Sequence, residues 1–190
     1  MLQRSLTITL SRSRARWDSN TWALSLRSDF SPRVTAPYVG VRLPEGKLAL
    51  VDILKASSIH ADSIRVLLDQ LGYRCNIAEV ISAIDSPEPN SDLFVAVCRG
   101  KVVGFMSLIY FFYFPLQKQN CRITSLVVDE YARGNGVGKR LIDHALEKAK
   151  GCSCAQLEIT TSLAREATQA YYERSGFIKS SFRYYLDLGI

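Results

Sequence analysis

From about Leu48 onward the chain alternates between two hydrophobic rhythms. Residues 48–54 are an apolar run of strand type. Ile64, Leu67, Leu68 and Leu71 then recur at the spacing of an amphipathic helix, which Ser57 or Ser58 can cap and Gly72 can stop. Asn76, with Glu79 three residues on, opens a second helix striped by Ile77, Val80, Ile81 and Ile84 and broken by Pro87 and Pro89. Residues 93–98 and 102–113 have strand character, and the short connection Arg99-Gly100-Lys101 predicts a tight hairpin. The second of these strands runs into Tyr110-Phe111-Phe112-Tyr113-Phe114-Pro115. On a two-residue period such a run cannot face one side, so some rings face the core and others an acceptor pocket or a second subunit.

The most informative stretch follows, at residues 121–150. Residues 123–128 are β-branched and apolar, 129–132 form a polar elbow, and Arg133-Gly134-Asn135-Gly136-Val137-Gly138 leads into a helical stripe of Val137, Leu141, Ile142, Ala145, Leu146 and Ala149, with Gly151 as its stop. Residues 156–160 predict another strand, and 165–174 a short helix with Ala167, Ala170 and Tyr171 inward, ended by Gly176. Residues 177–188 predict two short strands or one bent one. The order β-α-α-β-β-β-α-β-α-β indicates an α/β or α+β layered domain.

A strand, a glycine-rich turn and a helix make a ready anion site. The first helical N–H groups are unpaired, the dipole is positive there, and glycines let a phosphate approach the backbone. Arg133, Lys139 and Arg140 flank the turn and suit a pyrophosphate. The dinucleotide pattern G-x-G-x-x-G fails, because its third glycine would fall at Lys139; the G-x-x-x-x-G-K-[ST] pattern fails at Arg133 and Arg140. A turn of this kind can also serve packing alone.

Charge and cysteines narrow the class. The net charge of the 190 residues is +6, but residues 1–47 hold eight basic residues against three acidic ones, and the remainder sixteen against fifteen. The near-neutral part argues against a nucleic-acid-binding core. The Ser/Arg-rich segment 1–47 is expected to be a poorly ordered extension ahead of one domain at 48–190, with an organelle transit segment as the alternative to a cytoplasmic protein. The longest apolar stretch, 102–114, is shorter than the roughly 18–20 residues that span a bilayer, so no membrane segment is expected. Five scattered cysteines, Cys75, Cys98, Cys121, Cys152 and Cys154, suit reduced thiols. Cys152-Ser153-Cys154 is not a zinc spacing, and no metal is expected.

Arg-x-x-Gly-x-Gly after a strand ending Leu-Val-Val resembles the acetyl-coenzyme A motif of the GCN5-related N-acetyltransferase (GNAT) family. Two further stretches carry the resemblance in the family's order: ILKASSIHADSIRVLLDQLGY is similar to its first strand and helix, and REATQAYYERSGF to its last helix. The resemblance covers residues 51–188. It implies a mixed, mostly antiparallel sheet with helices on both faces and a splayed central strand. It also implies that Leu126, Val127 and Val128 pair with the pantetheine arm, and that the pyrophosphate sits on Gly134, Asn135, Gly136, Val137, Gly138 and Lys139 beside Arg133. Tyr172 matches the tyrosine that commonly points at the coenzyme A sulfur and can protonate the leaving thiolate. A free strand N–H can hold the oxyanion. Two positions depart from the family: Arg165 stands where an asparagine is common, and Thr124 and Ser125 where acids are common. The general base is thus open, with Glu158 as the candidate and a solvent-facing strand glutamate as its bland alternative. His60 and His144 fall outside the motifs.

The expected function is transfer of an acetyl group from acetyl-coenzyme A to a primary amine of a small molecule or protein, with a homodimer open. The rival is a non-catalytic acyl-coenzyme A-binding module of the same fold. A nucleic-acid-associated factor would rest on residues 1–47 alone.

Overall fold

The computed structural model describes residues 50–189. The basic segment 1–47, and with it the expected domain boundary, lies outside the described residues. The elements are β1 (Val51–Lys55), α1 (Ala61–Leu71), α2 (Ile77–Asp85), β2 (Ser91–Cys98), β3 (Lys101–Tyr113), β4 (Lys118–Val128), α3 (Val137–Gly151), β5 (Leu157–Ile159) and α4 (Glu166–Arg174), with single 3₁₀ turns at Ser58–His60, Phe114–Leu116 and Glu130–Ala132. The five strands form one sheet in the order β1-β2-β3-β4-β5. Neighbours are antiparallel except β4 and β5, which are parallel.

The helix signals act where the sequence puts them. Asn76 Oδ1 accepts from the Ala78 N–H, and Glu79 Oε2 accepts from the Asn76 N–H, closing the capping box of α2. Gly72, in the left-handed region, ends α1. Ser57 caps a 3₁₀ turn ahead of α1 instead of α1 itself, and its N–H donates to Nδ1 of His60, which gives that histidine a local structural role. The β2–β3 hairpin is as tight as expected: Cys98 faces Lys101, and Arg99 and Gly100 both take positive φ, as a two-residue turn that matches strand twist requires.

The sheet divides the core. On one face Val137, Leu141, Ala145 and Ala149 of α3 pack on Phe94, Ala96, Met106, Leu108, Cys121 and Ile123. On the other Ala61, Ile64 and Leu67 of α1 and Val80 of α2 pack on Val95, Val102, Phe105 and Val127. The aromatic run splits as its period demands: Tyr110 joins the α3-side core and donates to Asp92 Oδ2, Arg122 lies over the ring of Phe111, and Phe112 and Phe114 are exposed.

Several expectations need correction. β1 ends at Lys55, beyond the expected limit. β4 begins at Lys118, because its polar first residues pair with β3 although they carry no hydrophobic signal. Leu146 and Ile81, read as core positions, are exposed, as is Ala167 in α4, which has no buried residue. Residues 177–189 contain no strand: Ile178, Phe182, Tyr184, Tyr185, Leu186 and Leu188 are strand-like in composition, but no ladder partner meets them.

Leu141 is fully buried where α3 crosses the sheet. Leu141→Ala is expected to destabilise the domain by about 2–5 kcal/mol, through lost burial and the cavity left behind. Urea unfolding with an unchanged midpoint would contradict that packing.

Candidate functional site

The site forms where β4 leaves β5. Only Cys121, Arg122 and Ile123 of β4 pair with β5, facing Leu157, Glu158 and Ile159. There β5 ends, at Ile159, while β4 stays paired to β3 as far as Val128. Ser107 faces Ser125 and Leu108 faces Ile123, so Thr124 is an extra, bulged residue just past the last residue of β4 that pairs with β5. Thr124 Oγ1 and Ser107 Oγ lie 2.6 Å apart across the bulge.

Backbone alternation then fixes what faces the opening. The Asp129 N–H donates to the Val103 carbonyl at 3.0 Å. Antiparallel pairs alternate between bonded and non-bonded positions, so Val127 bonds towards β3, whereas Leu126 and Val128 turn their N–H and C=O groups towards the opening. Arg133 Nε donates to the Val128 carbonyl at 3.1 Å from that side. The side chains of Leu126 and Val128 pack on the α3 core, and that of Val127 is buried on the α1 face.

The elbow after β4 is held by residues that the sequence did not mark out. Asp129 is 1% exposed; its Oδ1 accepts from the Tyr131 N–H and its Oδ2 from Gln70 Nε2 of α1. Gln70 Oε1 accepts in turn from the Glu130 N–H. An aspartate ahead of a helical turn is a capping signal that could have been read; its long-range partner could not. Asn135 braces the turn from within, donating to the carbonyls of Ala132 and Arg133.

Gly134 and Gly136 both have φ +78°, a conformation that side-chain-bearing residues rarely adopt. Gly136 caps α3 without a side-chain hydrogen bond, and the first helical bond runs from the Arg140 N–H to the Gly136 carbonyl. The N–H groups of Val137, Gly138 and Lys139 thus precede the helical ladder and remain available to an anion. Gly138 has a different reason: a Cβ there would come within 3.0 Å of Tyr171 Oη, so the phenol of α4 enters against the first turn of α3. The three cations diverge. Lys139 pairs with Asp143 at 2.7 Å, Arg140 donates to the Val51 carbonyl at 2.8 Å, and Arg133 stays at the opening.

α4 brings two tyrosines. The Tyr171 hydroxyl is buried and no geometrically sound hydrogen bond reaches it among the described residues; burial pushes its pKa up, against an opposing contribution from the Ser175 hydroxyl. Tyr172 packs between Tyr171, which is tilted to it, and Phe177, which meets it edge-to-face, with ring centroids 5.7 and 5.8 Å away. Burial, and secondarily the Tyr171 phenol, push its pKa up to about 12, against an opposing contribution from Arg165. It therefore stays protonated through neutral pH and can act as a hydrogen-bond donor. Arg165 itself donates to the Leu71 carbonyl at 3.0 Å, tying α4 to the end of α1.

Glu158 faces the α1 side of the sheet, with both carboxylate oxygens engaged. Its Oε2 accepts from Arg122 Nε and Nη2 at 2.9 and 2.7 Å, and its Oε1 from Asn120 Nδ2 at 2.8 Å. It is a paired carboxylate that stays partly exposed. His144 packs edge-on against Phe94, and burial, reinforced by Lys148, lowers its pKa. Among the described residues no group of His, Cys, Asp and Glu could hold a metal ion, and no helix is long and apolar enough to cross a membrane.

Residues 62–177 match the family model described as the acetyltransferase (GNAT) family. The chain belongs to this family. An aminoalkylphosphonate N-acetyltransferase of Salmonella typhimurium is 25% identical to the acetyltransferase over 76% of this chain and 96% of its own. A peptidyl-lysine N-acetyltransferase of the same organism is 32% identical over 55% of this chain and 61% of its own. The fold matches that of a ribosomal-protein-alanine N-acetyltransferase of Brucella melitensis with a TM-score of 0.64 at 20% identity, over 74% of this chain and 100% of that one. The acetyltransferase thus moves an acetyl group from acetyl-coenzyme A to an amine, on an open α/β sheet with helices on both faces.

The buried, unpartnered phenol gives a test of the local packing. Tyr171→Phe removes a hydroxyl whose desolvation is not repaid, and is expected to stabilise the acetyltransferase by about 1–3 kcal/mol. A loss of stability in denaturant titration would show that the hydroxyl has a partner.

Proposed function

We propose that the opening between β4 and β5 receives the pantetheine arm of acetyl-coenzyme A, and that the α3 N-terminus receives its pyrophosphate. What supports this reading is that two sets of available N–H groups flank one opening: those of Leu126 and Val128 along the strand, and those of Val137, Gly138 and Lys139 at the uncapped helix. In this reading Gly134 and Gly136 shape the turn, Asn135 braces it, Arg133 supplies the nearest positive charge, and Val127 anchors the strand to the α1 face. Lys139 contributes its N–H, its ammonium being drawn along α3 to Asp143.

Acetyl-coenzyme A supplies an activated thioester. The acetyltransferase must hold it, stabilise the oxyanion and donate to the departing sulfur. A strand N–H at the opening serves the second need. Tyr172, protonated until about pH 12, serves the third. The amine must be neutral when it attacks, so the rate falls at low pH through protonation of the base or of the acceptor itself. The acceptor is a primary amine of a small molecule or a protein; the names of the relatives span aminoalkylphosphonates, peptidyl-lysine and a ribosomal-protein alanine, and share only the amine. Non-catalytic acyl-coenzyme A binding is not favoured, because the family and the relatives that the chain resembles are named for acetyl transfer.

Gly136→Glu places bulk and negative charge at the helix start and is expected to abolish acetyl-coenzyme A binding with the fold retained; calorimetry with undiminished affinity would remove the turn from the site. Tyr172→Phe is expected to lower kcat about 10²-fold with little change in KM for acetyl-coenzyme A, since the interaction grows in the transition state. Wild-type turnover, with chemistry shown to be rate-limiting, would leave Tyr172 a packing role only.

A further inference from the structure

We propose that Arg122, Glu158 and Asn120 form a cross-strand clamp that sets the opening between β4 and β5, and that Glu158 is a positioning residue instead of the group that takes the acceptor's proton. The proposal rests on the acetyl-coenzyme A reading of that opening.

β5 is held by a short ladder and by Leu157 and Ile159, which pack on the α3-side core, and the polar cluster is its one tie on the other face. It has three residues, all paired to β4, with one further backbone bond from Cys121 N–H to the Gln156 carbonyl and one from Ala155 N–H to the Gln119 carbonyl. It lies at the edge of the sheet, and the helix that follows it buries no residue. So short a ladder gains little from its own hydrogen bonds, each worth about 0.5–1.5 kcal/mol net. At its middle rung Arg122 stands directly opposite Glu158. Both nitrogens of the guanidinium edge bond to one carboxylate oxygen, and Asn120, fully buried, bonds to the other. Asn120 also donates to Gln156 Oε1 at 3.1 Å, reaching a second residue of the β5 segment. The Phe111 ring of β3 lies 4.8 Å from the guanidinium carbon and fixes Arg122 from the far side. One rung later, at Ile123 and Ile159, pairing ends and the opening begins. The clamp therefore stands at the root of the opening, where a small rotation of β5 is felt along all of it.

The same bonds make Glu158 a poor proton acceptor. A base must offer a lone pair to the incoming group, and here Arg122 takes both acceptor sites of one oxygen and the buried Asn120 amide one of the other, which leaves a single site on Oε1. The acceptor then loses its proton to water before attack, and the low-pH limb of kcat/KM follows the acceptor's own amine.

Three variants of the full chain separate the roles: Glu158→Gln, Arg122→Met, and the double swap Arg122→Glu with Glu158→Arg. The swap can re-form the clamp, because turning the Asn120 amide over lets Oδ1, which has no partner among the described residues, accept from an arginine at 158. Amide hydrogen exchange over residues 156–160 reads the clamp without any ligand. Coenzyme A release reads catalysis, using whichever is turned over among a lysine peptide, a peptide with a free α-amine and 2-aminoethylphosphonate. The clamp predicts faster exchange in Arg122→Met, with kcat lowered about 10–100-fold by misplacement of the opening. It also predicts recovery of both in the swap, and an unshifted low-pH limb in Glu158→Gln. Unchanged exchange in Arg122→Met overturns the clamp. So does a Glu158→Gln enzyme that loses rate mainly at low pH with normal exchange while the swap stays inactive, since that is the behaviour of a base. Calorimetry with acetyl-coenzyme A on the wild-type chain reads the underlying assignment separately: no binding there sinks the site, while the exchange comparison still decides the clamp.

Discussion

Everything at this site depends on how soon β4 and β5 stop pairing. Parallel pairing persists for three residues and then ceases, although β4 continues for five more. A strand that keeps one neighbour and loses the other presents alternate N–H and C=O groups with no partner, and buried backbone groups cannot be left so without cost. In the proposed reading an extended ligand completes that ladder. The bulge at Thr124 sits just past the last residue of β4 that pairs with β5.

Around that opening the acetyltransferase spends buried polar groups on placement. Asp129 and Gln70 join the elbow to α1, Arg165 joins α4 to the same helix, and Arg140 joins α3 to β1. Each bond ties an element bordering the opening to one behind it. Asp129 is buried and takes its hydrogen bonds from the elbow backbone and from Gln70, which satisfies a charge that would otherwise be expensive to desolvate. Tyr171 serves the same end by shape, entering where Gly138 lacks a side chain. The third glycine of the turn is thus a packing device, while the first two supply backbone conformation.

The helices and most strands were legible from residue spacing because each owes its register to a local rule: a stripe, a cap, a two-residue turn. Local rules also explain the errors. Leu146, Ile81 and Ala167 have apolar side chains at helical spacing, but a stripe is only as wide as the surface it meets, and these three lie at or beyond the edge of the sheet's cover. Residues 177–188 have strand composition, yet a strand exists only with a ladder partner, and the described residues offer none. Lys118 and Gln119 fail in the opposite sense: they are strand because β3 pairs with them, whatever their side chains prefer.

The layered α/β order and the glycine turn ahead of α3 were readable from the chain alone, since each rests on neighbours within a few residues, whereas the candidacy of Tyr172 came from the resemblance to the family. The meeting of Glu158 with Arg122 and Asn120 exists only in the folded chain, because residues 36 and 38 positions apart come together across two strands. The same is true of Gln70, 59 positions from Asp129, and of Tyr171, whose match to Gly138 depends on how α4 approaches α3. Spacing along a chain encodes a face or a turn; it carries no information on which distant side chain will satisfy a buried charge, and that choice is made when the sheet closes its register.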